Sequence, residues 1–485
     1  MNIYIKKHHN IYEVKINNKY KAILNLYSDR GIILLDPKSQ LIYKILGNKK
    51  KLTDLYKNIK LKRYSITNKE ITSLIKKLIY YDIYYYLSKK INEAAYPIIH
   101  EKHEKSLGVW IYLTNQCNFS CRYCFVEKKN KNLSIKNIKV MVTNIMNSAK
   151  KNRLKSIDFV LAGGEPLLKL KEIKKMAAEI KKIGKKILIP YKIAIITNGS
   201  LLTENIAKYF KKNKIRVSIS LDGVANYHNN TRVFPDGRGT YKFVHKGIKI
   251  AKKFKILDNV NVVITSKNIE HLPDLAKFLL KNQILFAFSL YKRTEVYSKT
   301  SLSPEKLIPP TEKLIKYFKR TINIIYNYYK NNNYVYSPLK ANILLEGLSH
   351  KLAATPGHFC SAGYGYCSVN TDGLITMCPD INYVVSNIES NQIVDDVLNN
   401  SKFILSKYSF QKVKPCFNCQ WKYICKNFCL ADRIKYNSSL NKPSYYCQFY
   451  KNFLPYLIKK EAKFLLRLII VKNKLYEIYK KGSPS

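Results

Sequence analysis

The chain has 485 residues and a formal net charge of +54, with 46% hydrophobic and 12% aromatic residues. That length predicts two or three domains, and the apolar and aromatic content excludes general disorder. No apolar run is long enough to cross a bilayer, since "FLLRLIIV" near the end is interrupted by Arg467. The start, "MNIYIKKHHNIYEVKINN", has neither an apolar h-region nor a small-residue cleavage site. No signal peptide is read, and a cytoplasmic location is expected, where thiols stay reduced. Lysine is spread through the whole chain together with Asn, Ile and Tyr, as an AT-rich coding bias would leave it. A nucleic-acid footprint would cluster on one face, so no specific nucleic-acid partner is expected.

In chain order, residues 1–100 read as a small winged-helix α+β module. "IYEVKIN", "YKAILNL" and "RGIILL" are short strands, and "PKSQLIYKIL" and "KLTDLYKNI" short helices. A longer helix follows Ser65 or Thr67 as N-cap, closed by the aromatic strand "YDIYYY". Charged residues 88–106 form a linker. Residues 107–295 then alternate continuous apolar strands with helix-period stretches. The strands are "GVWIYLT", "IDFVLA", "KIAIIT", "RVSISL", "VNVVIT" and "ILFAFSL". Six buried strands alternating with helices imply a parallel sheet covered on both faces, and six units are too few for a closed eight-fold barrel. The fold class is therefore α/β, a partial (β/α)6 TIM-like barrel. A helical bridge (296–355), a Cys-rich region (356–450) and a basic amphipathic helix (451–485) complete the chain.

Three of the 11 cysteines lie within "TNQCNFSCRYCFVE", as Cys117, Cys121 and Cys124, directly after the first barrel strand. Structural zinc requires four ligands, and the closest histidine, His103, sits in the charged linker. Three thiolates suit a [4Fe–4S] cube with one iron left open to chelation by a small molecule.

With "AGGEPLL" after the second strand and "SISLDG" after the fourth, the sequence resembles the radical S-adenosylmethionine (SAM) superfamily. The resemblance implies that Cys117, Cys121 and Cys124 hold the SAM-binding [4Fe–4S] cluster. Tyr123 lies where the family contacts adenine, and Gly163, Gly164 and Glu165, with Pro166, match the segment that meets the SAM amino group. Ser220 matches the ribose-contacting position, and Arg232 resembles the arginine that pairs with the SAM carboxylate. Many relatives carry Asp where Asn229 or Asn230 stands. "TNG" (197–199) reads either as a family segment or as an ordinary turn. The implied chemistry is reductive cleavage of SAM to a 5′-deoxyadenosyl radical, which abstracts hydrogen from substrate.

The other eight cysteines are Cys360, Cys367, Cys378, Cys416, Cys419, Cys425, Cys429 and Cys447, enough for two four-thiolate sites of zinc or iron–sulfur. Their spacing resembles the SPASM extension of radical SAM peptide maturases. The resemblance implies one auxiliary [4Fe–4S] cluster on Cys416, Cys419, Cys425 and Cys447, and another on Cys360, Cys378 and Cys429. Cys367 departs from the pattern, either completing the second set or standing as a spare thiol. The front module is similar to the leader-peptide-binding domains of peptide-modifying pathways, in which a leader adds a strand to the sheet edge; a structural cap is the alternative.

The sequence thus points to a radical SAM/SPASM maturase that crosslinks or oxidises a peptide or protein, a leader-bearing one by that similarity, and draws on a low-potential donor such as ferredoxin or flavodoxin. The alternatives are an anaerobic sulfatase-maturing, formylglycine-forming enzyme and a basic winged-helix nucleic-acid-binding zinc protein. In sulfatase-maturing enzymes an Asp directly follows the cysteine of "G-x4-C". Here Pro379 follows Cys378, and Asp380 comes one later. No residue identifies the catalytic base; Asp380 and Tyr366 are the neighbours of interest.

Overall fold

A computed structural model describes residues 4–26, 28, 31–87, 106–293, 302–338, 361–407, 413–425, 429–436 and 442–481. Cys360, the linker and the later part of the helical bridge lie outside them. The front module contains β1 (Tyr4–Lys7), β2 (Ile11–Lys15), β3 (Lys21–Asn25), β4 (Ile33–Leu35), α1 (Pro37–Leu46), β5 (Lys49–Lys51), α2 (Leu52–Tyr56), α3 (Ile59–Arg63), α4 (Asn68–Tyr80) and β6 (Tyr84–Leu87). Two three-stranded antiparallel sheets form, in the orders β5-β1-β6 and β2-β3-β4. Thr67, not Ser65, caps α4, in a reciprocal capping box with Glu70. The module has its own core, which includes Ile5, Leu35, Leu46, Leu74 and Leu78.

The barrel strands are β7 (Ser106–Tyr112), β8 (Ser156–Ala162), β9 (Tyr191–Thr197), β10 (Ile215–Ser220), β11 (Leu257–Ile264) and β12 (Phe286–Leu290). They pair in parallel and in sequence order. The helices between them are α5 (Ile135–Lys151), α6 (Leu170–Ile187), α7 (Glu204–Lys212), α8 (Asn226–Asn229), α9 (Tyr241–Lys253) and α10 (Leu272–Lys281). The strands bury apolar side chains, among them Val109, Ile111, Phe159, Leu161, Val217 and Val262, all at 0% exposure. That is why each reads as a continuous apolar run.

The sheet does not stop at six strands. After α11 (Pro304–Leu307) and α12 (Thr311–Asn331), the Cys-rich region contributes β13 (Tyr366–Val369), β14 (Leu374–Cys378) and β15 (Ile381–Asn387). β13 pairs in parallel with β7, Tyr366 opposite Gly108 and Val369 opposite Ile111, which gives one nine-stranded sheet. The expected boundary between barrel and Cys-rich region is therefore bridged by backbone hydrogen bonds, because β7 would otherwise leave an open edge.

The C-terminal helix, Cys447–Lys481, starts at a cysteine rather than at 451. Phe449 and Phe453 pack on Phe318 of α12, with ring centroids 5.8 and 5.0 Å apart. Further along, Ala462 and Leu466 bury against Ile16 and Ala22 of the front module. Among the described residues no helix is long and apolar enough to cross a membrane.

Candidate active site

The first cysteine loop leaves the C-terminal end of β7, where barrel active sites form. Its start is zipped to the Gly-Gly-Glu segment after β8: Gly164 N–H donates to the Thr114 carbonyl at 2.7 Å, and Glu165 N–H to the Gln116 carbonyl at 2.8 Å. Both glycines are required by that approach. A Cβ on Gly163 (φ +146°) would lie 2.3 Å from the Thr114 oxygen, and one on Gly164 2.1 Å from the Gln116 oxygen. On its other side the loop is stitched to the segment after α8. Ser120 N–H donates to the Val233 carbonyl at 2.7 Å, and Arg122 N–H to the Thr231 carbonyl at 2.9 Å.

Cys121 is buried, and Cys117 and Cys124 are partly buried. Burial pushes the Cys117 thiol up to about 12, and mainly burial pushes Cys121 up to about 11, with the charge of Cys124 adding to it. Three thiols within one loop are the soft donor set an iron–sulfur cluster would take. Burial opposes the charge on Lys128, yet the Cys124, Cys117 and Cys121 thiols around it raise its pKa. Its ammonium donates to the Phe119 carbonyl. Among the described residues, no three Cys, His, Asp or Glu side chains are grouped as a single metal ion would need.

Glu165 is fully buried, and burial pushes its carboxyl up to about 7 against three hydrogen bonds that lower it. It accepts from Thr197 Oγ1 at 2.6 Å, Leu167 N–H at 2.9 Å and Asn198 N–H at 2.8 Å. The "TNG" segment is thus more than a turn, for it receives the Glu165 side chain. Asn198 then reaches the cysteine loop, its amide donating to Asn118 Oδ1 at 2.9 Å.

The residue that sequence reasoning missed is Asp222, two past Ser220, which ends β10 half-buried. Its Oδ2 accepts from Tyr123 Oη at 2.6 Å, Thr231 Oγ1 at 2.9 Å and Arg232 Nε at 2.8 Å. Its Oδ1 accepts from Val263 N–H at 3.0 Å and Arg232 Nη2 at 3.3 Å. Burial alone would raise this carboxyl, but the Arg232 guanidinium and the remaining partners hold it below its ordinary value. Arg232 also lies over the Tyr123 ring, 5.3 Å from its centroid, and turns Nη1 toward Cys121 Sγ at 4.0 Å. One buried carboxylate therefore fixes both the aromatic beside Cys124 and the arginine behind Cys121. Asn229 instead accepts from Tyr241 N–H at 3.0 Å. His228 Nδ1 accepts from Asp222 N–H at 3.2 Å, which leaves Nε2 to donate to Thr240 Oγ1 at 3.1 Å. The visible signal was a carboxylate just past an apolar strand, inside the quoted "SISLDG".

A second group gathers where β7, β12, β13 and β14 meet. Lys292 Nζ pairs with Asp380 Oδ2 at 2.7 Å, and Asp380 is 6% exposed. Burial holds the Tyr112 hydroxyl well above its usual range, and Asp380, Cys124 and Cys378 raise it further. Tyr366 is raised likewise, by burial and then by Cys378. The structure thus brings Cys378, Asp380 and Tyr366 into the surroundings of Tyr112 and the first cysteine loop.

Of the remaining cysteines, Cys416, Cys419 and Cys447 share one electrostatic environment. Burial first, then Cys447 and Cys419, push the Cys416 thiol up to about 11. Cys425 and Cys429 flank the buried Tyr450 hydroxyl, which burial and then their charges push up. Cys367 lies in β13 at 0% exposure inside the apolar core, its thiol pushed up to about 12 by burial.

Residues 111–279 match the radical SAM superfamily. The chain is 27% identical over 356 residues to the cysteine-type anaerobic sulfatase-maturating enzyme of Clostridium perfringens, covering 70% of this chain and 93% of that one. It is 24% identical over 453 residues to the radical SAM cyclopropyl synthase TigE of Paramaledivibacter caminithermalis, covering 87% and 89%. Among solved structures, native anSMEcpe with bound AdoMet and Cp18Cys peptide superposes with a TM-score of 0.60 at 24% identity, over 76% of this chain and 99% of that one. Streptococcus suis SuiB bound to its precursor peptide SuiA gives 0.51 at 18% identity, over 92% and 100%. Residues 111–279 thus carry a radical SAM domain, and the chain is homologous to the anaerobic sulfatase maturases. That superfamily uses a [4Fe–4S] cluster and SAM.

Proposed function

We propose that this enzyme modifies a peptide or protein by hydrogen abstraction, installing a crosslink or an oxidation. When bound, the cluster and SAM supply a carbon radical strong enough to attack an unactivated C–H bond. Cys117, Cys121 and Cys124 would hold the cluster. The backbone at Gly163 and Gly164 would meet the SAM amino group, and Ser220 the ribose. Arg232, held through Nε and Nη2 by Asp222, offers Nη1 to a carboxylate, and Tyr123, anchored by the same Asp222, would flank the adenine. Cys416, Cys419, Cys425 and Cys447 would hold one auxiliary cluster; Cys378 and Cys429, with Cys360, would hold another. A low-potential one-electron carrier of the ferredoxin or flavodoxin kind would serve as donor.

The observation that carries this reading is the pairing of β13 with β7. It makes the Cys-rich region part of the barrel wall and sets Cys378, Asp380 and Tyr366 beside Tyr112. A peptide maturase is favoured by the front module with a core of its own and by the fold-level likeness to SuiB, which spans 92% of this chain. A second reading, formylglycine formation on a sulfatase, is supported by the 27% identity over nearly the whole maturating enzyme and by buried Asp380 as a candidate base. Mass spectrometry separates them: the reconstituted enzyme with SAM and reductant is given a precursor peptide encoded beside it, or a sulfatase-derived cysteine peptide. A crosslink or oxidation in the first supports the leading reading. Formylglycine in the second alone keeps hydrogen abstraction but gives the substrate to the sulfatase reading and overturns the precursor-peptide one.

A further inference from the structure

Lys128 follows Cys124 in the first cysteine loop, and neither the ligand set nor the SAM contacts use it. Its half-buried ammonium donates to the Phe119 carbonyl. Phe119 is itself fixed: its ring is 0% exposed, meets Phe234 edge-on at 5.1 Å, and its N–H donates to Cys117 Sγ at 3.4 Å. The cation is thus tied to the backbone between Cys117 and Cys121. Lysine is common on this chain, and what sets this one apart is its company. Nearby Lys129 pairs with Glu127 at 2.8 Å and Lys131 with Asp372 at 3.0 Å, all four side chains near half exposed. Arg232, beside Cys121, is matched by Asp222 at 2.8 Å. Among the described residues no carboxylate pairs with Lys128. Burial works against its charge, and the groups that favour the charge are the Cys124, Cys117 and Cys121 sulfurs, with Cys117 also a hydrogen-bond partner.

We propose that Lys128 sets the reduction potential of the first cluster, holding a fixed positive charge against its sulfurs so that a single electron enters more readily. The proposal rests on the reading of Cys117, Cys121 and Cys124 as ligands. Net charge and hydrogen bonds to the sulfurs govern such potentials, and partly buried charges are little screened by salt. One added electron makes the thiolate-bound cluster more negative by one charge, and a neighbouring cation stabilises that product more than the starting state. In each transfer the carrier is oxidised by one electron and the cluster reduced by one. Lys128 keeps its proton, and no bond forms or breaks. It acts through the cluster and is a positioning residue.

The test uses the full chain, reconstituted anaerobically, with iron and sulfide counted in every sample. The potential is taken by redox titration of the part of the EPR signal that S-adenosylhomocysteine shifts. This probe has the amino and carboxylate groups of SAM and no sulfonium to cleave. Lys128→Met should make the one-electron reduction about tenfold less favourable, a fall of about 59 mV. Lys128→Gln, which keeps a donor for the Phe119 carbonyl without the charge, should fall by a similar amount. Lys128→Arg should stay within about twofold of wild type, and so should Lys129→Met, which removes an exposed charge from the same segment. Uncharged Lys128 variants that keep their iron and stay within about twofold overturn the proposal, whatever they do to binding of the probe. So does an equal fall in Lys129→Met, or a fall in Lys128→Arg as large as in Lys128→Met. Loss of iron in both Lys128→Met and Lys128→Gln also overturns it, because Lys128 would then be a tether of the loop. Failure of the ligand assignment looks different, since Cys117→Ala and Cys124→Ala would then keep the full iron content.

Discussion

Asp222→Asn is the sharpest single perturbation the site allows, because it removes one charge and almost no volume. The carboxylate receives five donors, three at Oδ2 and two at Oδ1, and asparagine cannot satisfy them in either orientation. With its oxygen toward Tyr123, Thr231 and Arg232 Nε, its NH2 faces Val263 N–H and Arg232 Nη2; reversed, it confronts three donors. Arg232, 8% exposed, is left as an uncompensated buried cation. Breaking a buried pair from one side costs about 3–5 kcal/mol. If about 3 kcal/mol of that falls on the ligand site, SAM affinity drops roughly a hundredfold, at about 1.4 kcal/mol per factor of ten. The assay is equilibrium binding of SAM to reconstituted protein with iron counted in the same sample, so that loss of the cluster is not mistaken for loss of the arginine's position. A cycle with Arg232→Met should be strongly non-additive, the double variant losing little more than either single one. Asp222→Asn protein that keeps its iron and binds SAM within about threefold of wild type would refute the reasoning.

Gly164→Ala should lower iron content at the first site, because its Cβ would sit 2.1 Å from the Gln116 oxygen and displace the loop that carries Cys117; iron and sulfide analysis checks this. Burial depresses the His228 pKa from 6.5 to about 3. The unfolded chain therefore takes up a proton below about pH 6.5 that the folded chain refuses, and stability, complete above that pH, falls by up to about 1.4 kcal/mol per pH unit as the solution is acidified. Urea unfolding between about pH 7.5 and 5.5 should show a smaller slope for His228→Gln, and equal slopes would contradict it. Cys367→Ala should cost only packing, about 1 kcal/mol, and keep its iron, whereas Cys378→Ala should lose up to about four irons per chain. The two iron counts decide between core and ligand.

The barrel strands and the first cysteine loop were legible because their signals are local. Strands buried on both faces are apolar without interruption, and Cys117, Cys121 and Cys124 fall within eight positions. The rest depended on partners distant in sequence. β5 is three lysines and β1 is "YIKK"; neither alternates clearly, and both are strands because Tyr4 pairs with Lys51 and Ile5 with Lys50. Nothing at Tyr366–Val369 announces that it extends the barrel sheet beside β7. Asp222 gains its role only when Tyr123, 99 residues earlier, meets it. Cys367 drew attention as a cysteine among cysteines, while its burial follows from β13, whose Cys367, Ser368 and Val369 are buried in succession. Spacing finds ligands that are neighbours in the chain, and it says little about which thiols face one another in space.

The most direct test is SAM turnover by protein purified and reconstituted without oxygen. Wild type should show an iron–sulfur EPR signal and, under strong reductant, release 5′-deoxyadenosine and methionine, while Cys124→Ala releases neither. Wild-type protein that carries zinc in place of iron and leaves SAM intact would contradict the account.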